Sequence, residues 1–418
     1  MEPLRFAVVG LGGYGLVHIK AVDWIAGQGL GKLVGVIALE SDRRQRPELV
    51  GELLARGCTL YDSVTQFLSE AAATADVLTV PIGIGMHVPV SIAAMRAGLH
   101  VYCEKPVAAT VQEVDALIGA KNETGRRIAI GYQHIYSNSI QQLKSRIVDG
   151  RLGNVRLLSL MCGWPRSETY YNRNEWAGKL RAGEEWILDS PANNAHAHYL
   201  MNALYLCSPE AGKADSPAEI RAELYRANRI EGPDTVLLRF TTIGGSSAFV
   251  ILTHANGREN GPSMRLECER GTAYWQTDNG KTLIRYGDGK TEEFDNLVHD
   301  NWRYEGFRDF VLALREGRDP LCTPELARAQ TLTVNAMHES CPEIGVIPES
   351  SVSVVEDWEM FPPGTKGMFH RVRGLDEYMT VAVQERSFFS DLGIPWARGL
   401  TSRSVSVGNY TRFPSRRI

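Results

Sequence analysis

Residues 189–206 read DSPANNAHAHYLMNALYL, three asparagines and two histidines set among alanines and leucines. Imidazole is the side chain whose ordinary pKa lies nearest neutrality, so it can take and return a proton at physiological pH. Ser190 followed by Pro191 is an N-cap followed by a proline at the first helical position, which predicts a helix beginning there. On that helix Asn194 and His198 stand four residues apart, one above the other on a single face. His196 points elsewhere and is expected to be packed or solvated. Two histidines two residues apart make a poor helical ligand pair, and no third ligand is evident, so no metal is expected.

A second group is Glu104-Lys105-Pro106, at the end of the run HVYCEKP. An ammonium held against a proline at a strand end, inside a cleft, is partly desolvated. Desolvation lowers a lysine pKa toward neutrality, which would let Lys105 exchange protons with a substrate hydroxyl. Alone, the tripeptide reads better as a surface lysine paired with Glu104.

These residues need elements to hold them. RFAVVGLGGYGLVHIKAV (5–22) runs from an apolar β-branched strand through glycines into a helical pattern. Gly10, Gly12, Gly13 and Gly15 spell GxGGxG at the strand-to-helix turn, where backbone N–H groups and the helix N-terminus can meet a pyrophosphate. The next strand, KLVGVIALESD, ends at Glu40, the candidate acceptor for a ribose 2′-hydroxyl. That choice favours NAD. Arg43, Arg44 and Arg46 follow and could hold a 2′-phosphate, so NADP stays open. ADVLTVPIGIGMHVPVSIAAMRAGLHVYCEKP repeats the strand–helix–strand pattern, which predicts a doubly wound parallel sheet with ligands at the carboxyl ends of its strands. Pro81, His87 and Lys105 fall at such ends, although His87 reads more readily as packing or capping the helix that follows.

The bulk composition fits this picture. The chain has 418 residues, 44% hydrophobic and 22% charged, with a formal net charge of −4. Two domains with some extra chain are expected, and the negative balance argues against nucleic acid as a partner. No apolar run approaches the ~20 residues that span a bilayer, and MEPLRFAVVG lacks the layout of a signal peptide, so a cytoplasmic location without membrane partners is expected. Seven scattered cysteines without a CxxC pair suggest reduced, buried thiols.

GLGGYG and AGLHVYCEKP together resemble the Gfo/Idh/MocA family of NAD(P)-dependent oxidoreductases. The resemblance continues through IGYQHIYSNSIQQLKSRIVDGRLGNV and FRDFVLALREGRDPLCTPELARAQTLTVNAMHES, covering roughly residues 5–345. It implies dinucleotide contacts at Gly10, Gly12, Gly13, Tyr14, Gly15, Glu40, Pro81, His87, Glu104 and Gln133. It also implies a second domain built on a large open, mainly antiparallel sheet, and a homo-oligomer, dimer or tetramer. The alternation in DTVLLRFTTIGGSSAFVILTHA, SMRLECERGTAYWQT and KTLIRYGDGKTEEF suits such strands. The family carries an Asp and, four residues later, a His facing the nicotinamide; these positions fall on Asn194 and His198. Asparagine can orient the imidazole but adds no charge, so His198 is expected to titrate lower than in the usual family site. Asp189 is a candidate for the missing carboxylate.

CGWPRSETYYNRNEWAGKLRAGEEW (162–186) is dense in side chains that stack on and hydrogen-bond to polyhydroxylated ligands, and equally suits a loop that packs aromatics over the sheet. Arg173, Trp176 and Lys179 are its candidate contacts. Beyond about 350 the chain leaves the resemblance. One amphipathic helix is expected at roughly 374–391, in a tail too apolar to float free and so docked on its own domain or a partner subunit.

The sequence therefore predicts an α/β protein: a Rossmann domain at 1–128, an α+β sheet domain at 129–348 and an extension at 349–418. The expected reaction is hydride transfer between the nicotinamide of NAD (or NADP) and a secondary hydroxyl of a sugar, cyclitol or related polyol. Lys105, His198 and Asn194 are the expected catalytic residues. Two alternatives stand beside it: tightly held NAD used for transient oxidation during sugar elimination or hydrolysis, and a non-catalytic regulatory protein that binds nucleotide or sugar.

Overall fold

Strand-forming and helix-forming segments alternate from the first residues, and the chain winds them into a parallel sheet. The computed structural model describes residues 2–297, 299–359 and 364–415. It divides into two compact units, Met1–Tyr136 with Asp300–Arg328, and Ser137–His299 with Ala329–Ile418. The first division expected at 128 falls at 136, and the second differs more. Residues 300–328 return to the first unit instead of staying with the sheet domain, and the tail from 349 belongs to the second unit.

The first unit runs β1 (Leu4–Val9), α1 (Tyr14–Ala26), β2 (Gly31–Ile37), α2 (Glu40–Gln45), α3 (Pro47–Ala55), β3 (Thr59–Tyr61), α4 (Val64–Glu70), β4 (Val77–Val80), α5 (Ile84–Arg96), β5 (His100–Cys103), α6 (Val111–Thr124) and β6 (Ile128–Ile130). Its six strands pair in the order β3-β2-β1-β4-β5-β6, and every pairing is parallel. This is the Rossmann order, with the topological switch between β1 and β4. Val77, Leu78, Val80, Val101 and Tyr102 are buried, as strands covered on both faces require.

The second unit opens with α7 (Asn138–Val148), β7 (Val155–Gly163), α8 (Glu168–Tyr171), the short strands β8 (Arg181–Ala182) and β9 (Glu185–Trp186), and α9 (Ala197–Cys207). The strands β10 (Pro217–Arg226), β11 (Thr235–Thr242), β12 (Ser247–Thr253), β13 (Asn260–Cys268), β14 (Gly271–Gln276), β15 (Lys281–Tyr286) and β16 (Thr291–Asp295) follow. The chain then adds α10 (Glu305–Glu316) to the first unit, where Phe307, Phe310 and Val311 join the core beside Phe6 and Tyr102. Next come α11 (Pro324–Ser340), β17 (Gly345–Val346), the hairpin β18 (Val352–Trp358) and β19 (Lys366–Val372), α12 (Leu375–Glu385) and β20 (Val405–Ser406).

The large sheet is ordered β16-β15-β14-β13-β7-β12-β11-β10-β17, with β20 also on β10. Only β7–β12 and β10–β17 pair in parallel, so the sheet is mainly antiparallel as expected. Alternate residues of one strand serve opposite faces. Phe249 and Ile251 of β12, with Leu237 of β11, bury against Leu375, Met379, Phe388 and Phe389 of the tail. The tail therefore docks on its own sheet. Its helix is shorter than the expected 374–391: Arg386 enters the left-handed region at φ 53 and closes α12 at Glu385. All seven cysteines are free thiols, and six are buried. No helix among the described residues is long and apolar enough to cross a membrane.

Candidate functional site

The glycine turn is built by close approach. Gly10 and Gly13 have φ of 95 and 50, the left-handed region that glycine occupies cheaply. A Cβ on Gly15 would lie 2.5 Å from the carbonyl oxygen of Gly10, so α1 passes too near β1 for any other residue. A Cβ on Gly10, Gly12 or Gly13 would meet nothing within 4 Å, so the space over the turn is open. The N-terminus of α1 carries no side-chain cap. An open glycine turn leading into uncapped N–H groups is the chemistry a dinucleotide pyrophosphate needs, and the residues fit that group.

The other expected dinucleotide contacts lie in the segments that follow the carboxyl ends of the parallel strands. Tyr14 is exposed on the first turn of α1, and Pro81 follows β4 half-buried. Glu40 opens α2 with an exposed side chain, ion-paired to Arg44 one turn on. Arg43 pairs with Asp62 at 2.9 Å, so two of the three arginines already face carboxylates. His87 is buried with Nδ1 2.7 Å from the Pro106 carbonyl and Nε2 2.9 Å from that of Ile82. It braces the turns after β4 and β5 against each other, as a packed histidine would, and burial pulls its pKa down. Gln133 is half-buried in a short 3-10 turn, Gln133–Tyr136.

Glu104 is not a surface partner for the lysine side chain. Its carboxylate is buried, accepts the backbone N–H of Lys105 at 3.0 Å and meets His18 Nε2 at 3.1 Å. It occupies the space where Gly131 lacks a side chain: a Cβ there would come within 2.6 Å of Oε1. Lys105 itself is half-buried, and a fixed backbone aims its flexible stem.

In the second unit the helix of the 189–206 stretch begins later than expected. Ser190 caps as its residue type predicts, with Oγ accepting from Asn193 N at 3.1 Å. One turn later the path is irregular, and regular helix starts only at Ala197. Asn194 therefore precedes α9, inside the run of turns from Pro191 to His196 rather than on the regular helix that carries His198. The cause is Asp189. Its Oδ1 accepts from Asn194 Nδ2 at 3.0 Å and its Oδ2 from Gly178 N at 2.6 Å, drawing the asparagine back toward the preceding loop. Asn194 Nδ2 also lies 3.4 Å from the Tyr170 hydroxyl, so the amide turns its N–H groups inward. The carboxylate missing from position 194 thus stands behind the asparagine. His198 is buried on the first turn of α9 at 5% exposure, and His196 is fully buried with its ring 5.0 Å from Trp164.

Of the expected substrate contacts, Arg173 is exposed and lies 3.7 Å over the Tyr170 ring and 5.2 Å from that of Trp176. Lys179 is exposed, and its carbonyl accepts the backbone N–H of Asp189.

Residues not singled out from the sequence complete this region. His254, one residue past β12, lies 4.6 Å from the His196 ring and lines a narrow cleft with Tyr170, Tyr171, Gly178, Asp189 and Pro191. Its Nδ1 is 2.8 Å from the Trp164 carbonyl. Burial, reinforced by Arg166, holds its pKa well below the usual imidazole value. A neutral ring donating from Nδ1 presents Nε2 as an acceptor, and that atom is buried without a protein partner. Arg166, buried at 7% exposure, stacks 5.0 Å from the Tyr170 ring. Stacked cations with a neutral imidazole acceptor suit a ligand that carries both hydroxyl and negative groups. A histidine directly after an alternating strand is the signal that marks position 254; its partners Trp164 and His196 are too distant in sequence to read.

Residues 4–132 match the model of an oxidoreductase family with NAD-binding Rossmann fold, GFO_IDH_MocA. The chain is 25% identical over 325 residues to a 4-carboxy-2-hydroxymuconate-6-semialdehyde dehydrogenase of Sphingobium sp. (strain NBRC 103272 / SYK-6), covering 76% of this chain and 92% of that one. It is 28% identical to an inositol 2-dehydrogenase of Azotobacter vinelandii, but over 45% of this chain and only 51% of that enzyme. Its fold matches the WlbA dehydrogenase of Bordetella pertussis, in a crystal structure with NADH and UDP-GlcNAcA, at a TM-score of 0.66 and 21% identity, covering 81% of this chain and 96% of that one.

Proposed function

From the premise that the chain belongs, through residues 4–132, to the Gfo/Idh/MocA oxidoreductases with their NAD-binding Rossmann fold, we propose that it is an NAD(P)-dependent dehydrogenase of a sugar, cyclitol or related polyol. The open glycine turn at the switch point of a parallel six-stranded sheet carries this reading. Relatives named inositol 2-dehydrogenase and UDP-N-acetylglucosamine 3-dehydrogenase support the substrate class.

The bound dinucleotide supplies hydride transfer; the chain supplies orientation and proton handling. Gly10, Gly12, Gly13 and Gly15 admit the pyrophosphate, with Tyr14, Pro81, His87, Glu104 and Gln133 around it. Glu40 takes the ribose hydroxyls, and the pairing of Arg43 and Arg44 with carboxylates supports NAD over NADP. His198 acts as general acid/base at the carbinol oxygen. Lys105 relays the proton and polarises that oxygen, from a backbone fixed by Glu104. Asn194, anchored by Asp189, orients the site without adding charge. Arg173, Trp176 and Lys179 contact the substrate, and the protein works as a homo-oligomer in the cytoplasm.

The test is reduced-nicotinamide absorbance with NAD and NADP separately, against a panel of sugars, inositols and sugar acids. His198→Ala and Lys105→Ala are run alongside. Turnover with a polyol is expected, faster with NAD, and lowered at least about 100-fold in each variant while dinucleotide binding persists, the usual contribution of a positioned acid/base. A panel that stays silent with dinucleotide bound sinks the dehydrogenase reading.

A further inference from the structure

The first unit holds a second candidate ligand site at the opposite ends of its strands. A cavity of about 390 Å³ is lined by Leu4, Arg5, Ala73, Asp76, His100, Arg126, Leu314 and Arg315, with small residues between them. Leu4 begins β1, Asp76 directly precedes β4 and His100 begins β5, so the cavity lies at the amino ends of the parallel sheet. The glycine turn lies at the carboxyl end of β1, six residues away, or about 20 Å at a strand's rise per residue. The volume is within the range of pockets that hold small metabolites, about 300–1,000 Å³.

Its charges do not cancel. Arg5 is committed: Nε and Nη2 clamp Asp76 at 3.1 and 2.7 Å, and Nη1 donates to the Ala73 carbonyl at 3.0 Å. The guanidinium of Arg126, which can offer five donors, has no hydrogen bond or ion pair among the described residues. Arg315 gives Nη2 to the carbonyls of Glu2 and Gly29, and its Nε is buried without a partner. Asp76 is the single carboxylate lining the cavity and is neutralised by Arg5. Two positive charges remain. The C-terminus of α5 opposes them with about half a negative charge, too little to balance two guanidinium groups.

His100 adds directional chemistry. Its Nδ1 accepts the backbone N–H of Arg127 at 2.9 Å, so the neutral ring carries its proton on Nε2 and is a donor there. Burial first, then Arg126 and Arg127, hold its pKa at about 4, which keeps it neutral at physiological pH.

We propose that this cavity binds a small phosphorylated metabolite by its phosphoryl group, with Arg126 and Arg315 as the anion-binding side chains and His100 donating to an oxygen. A phosphoryl dianion matches the two uncompensated charges, whereas a carboxylate leaves one unmatched. The site is separate from the dinucleotide turn and does not depend on the reaction proposed above.

The His100 imidazole resonance, followed by NMR in the NADH-saturated protein at fixed ionic strength, reports binding. Inorganic phosphate should shift it saturably at millimolar concentration, and chloride should not. Arg126→Gln and Arg315→Gln should each weaken the response at least tenfold while NADH affinity stays the same. A phosphate response equal to that of chloride, or one unchanged in both variants, overturns the proposal. Acetate binding as tightly as phosphate would overturn the phosphoryl assignment. If NADH fails to bind, the same titrations with the two variants still decide the matter, because neither arginine is near the glycine turn.

Discussion

At the scale of single residues, the chemistry divides by how far apart the partners lie in sequence. The glycine turn was readable because each glycine's reason lies within six residues of it: Gly15 is required by Gly10, whose carbonyl a Cβ would approach to 2.5 Å. Gly15→Ala should therefore push α1 off the turn and weaken NADH at least about tenfold, since backbone cannot yield as a flexible side chain does. NADH fluorescence titration measures this directly; unchanged affinity would mean the turn tolerates the methyl group and the close approach has no binding role. Gly131 has the same logic against Glu104, and His254 against Trp164, yet neither was visible in sequence. Their partners are 27 and 90 residues away, so no local pattern records them.

At the scale of elements, capping signals were right in kind and wrong in extent. Ser190 does cap, but Asp189 holds Asn194 in the loop and delays α9 to Ala197. A sequence shows that a cap can form; it does not show which side chain competes for the next turn. The other end of α9 is held by a residue no pattern indicated. Lys144 of α7 is 3% exposed and donates to the carbonyls of Tyr205, Ser208 and Lys213 at 2.6, 2.6 and 3.2 Å, with the Tyr205 ring 4.3 Å away. Burial pulls its pKa down to about 7, while two carbonyls at the C-terminus of α9 and a third in the loop after it favour the charged form. We take the ammonium as charged, because it alone satisfies all three acceptors. Lys144→Met keeps the stem and takes the ammonium donor from the Ser208 and Lys213 carbonyls, while Tyr205 keeps the Ser208 N–H, so it should cost about 2–5 kcal/mol in urea unfolding. A loss below about 0.5 kcal/mol would show that water replaces the ammonium.

At the scale of the whole molecule, alternation made the parallel sheet of the first unit legible and the family resemblance supplied the open sheet of the second, whereas the path between units was not legible. The helices after 300 have the right period, but nothing local says that Phe307 and Phe310 return to the core of Phe6 and Tyr102. The tail's apolar content foretold docking without naming its target, because an amphipathic face fits many surfaces. This division also shapes how acid should unfold the protein. His100 belongs to the first unit and His338, on α11, to the second, and burial lowers both pKa values to about 4. An unfolded imidazole titrates near 6.5. Between pH 6.5 and 4 the unfolded chain thus binds more protons, so each histidine stabilises above 6.5 and loses that contribution as pH falls toward 4. The slope is at most about 1.4 kcal/mol per pH unit for each group. Glu292 acts lower: held by Arg146 at about 2, it gives up its contribution only as pH falls below its ordinary value. Urea unfolding from pH 7 to 4 should consequently lose stability before the carboxylates titrate. Replacing His338, whose Nε2 is buried without an acceptor, with glutamine removes one proton from the balance of its own unit only. The second unit's transition should then become shallower between pH 6.5 and 4.5, with His254 keeping its own share of the slope, while the first unit's slope is unchanged. A slope in the second unit equal to that of the unsubstituted chain would mean that His338 is charged in the folded chain.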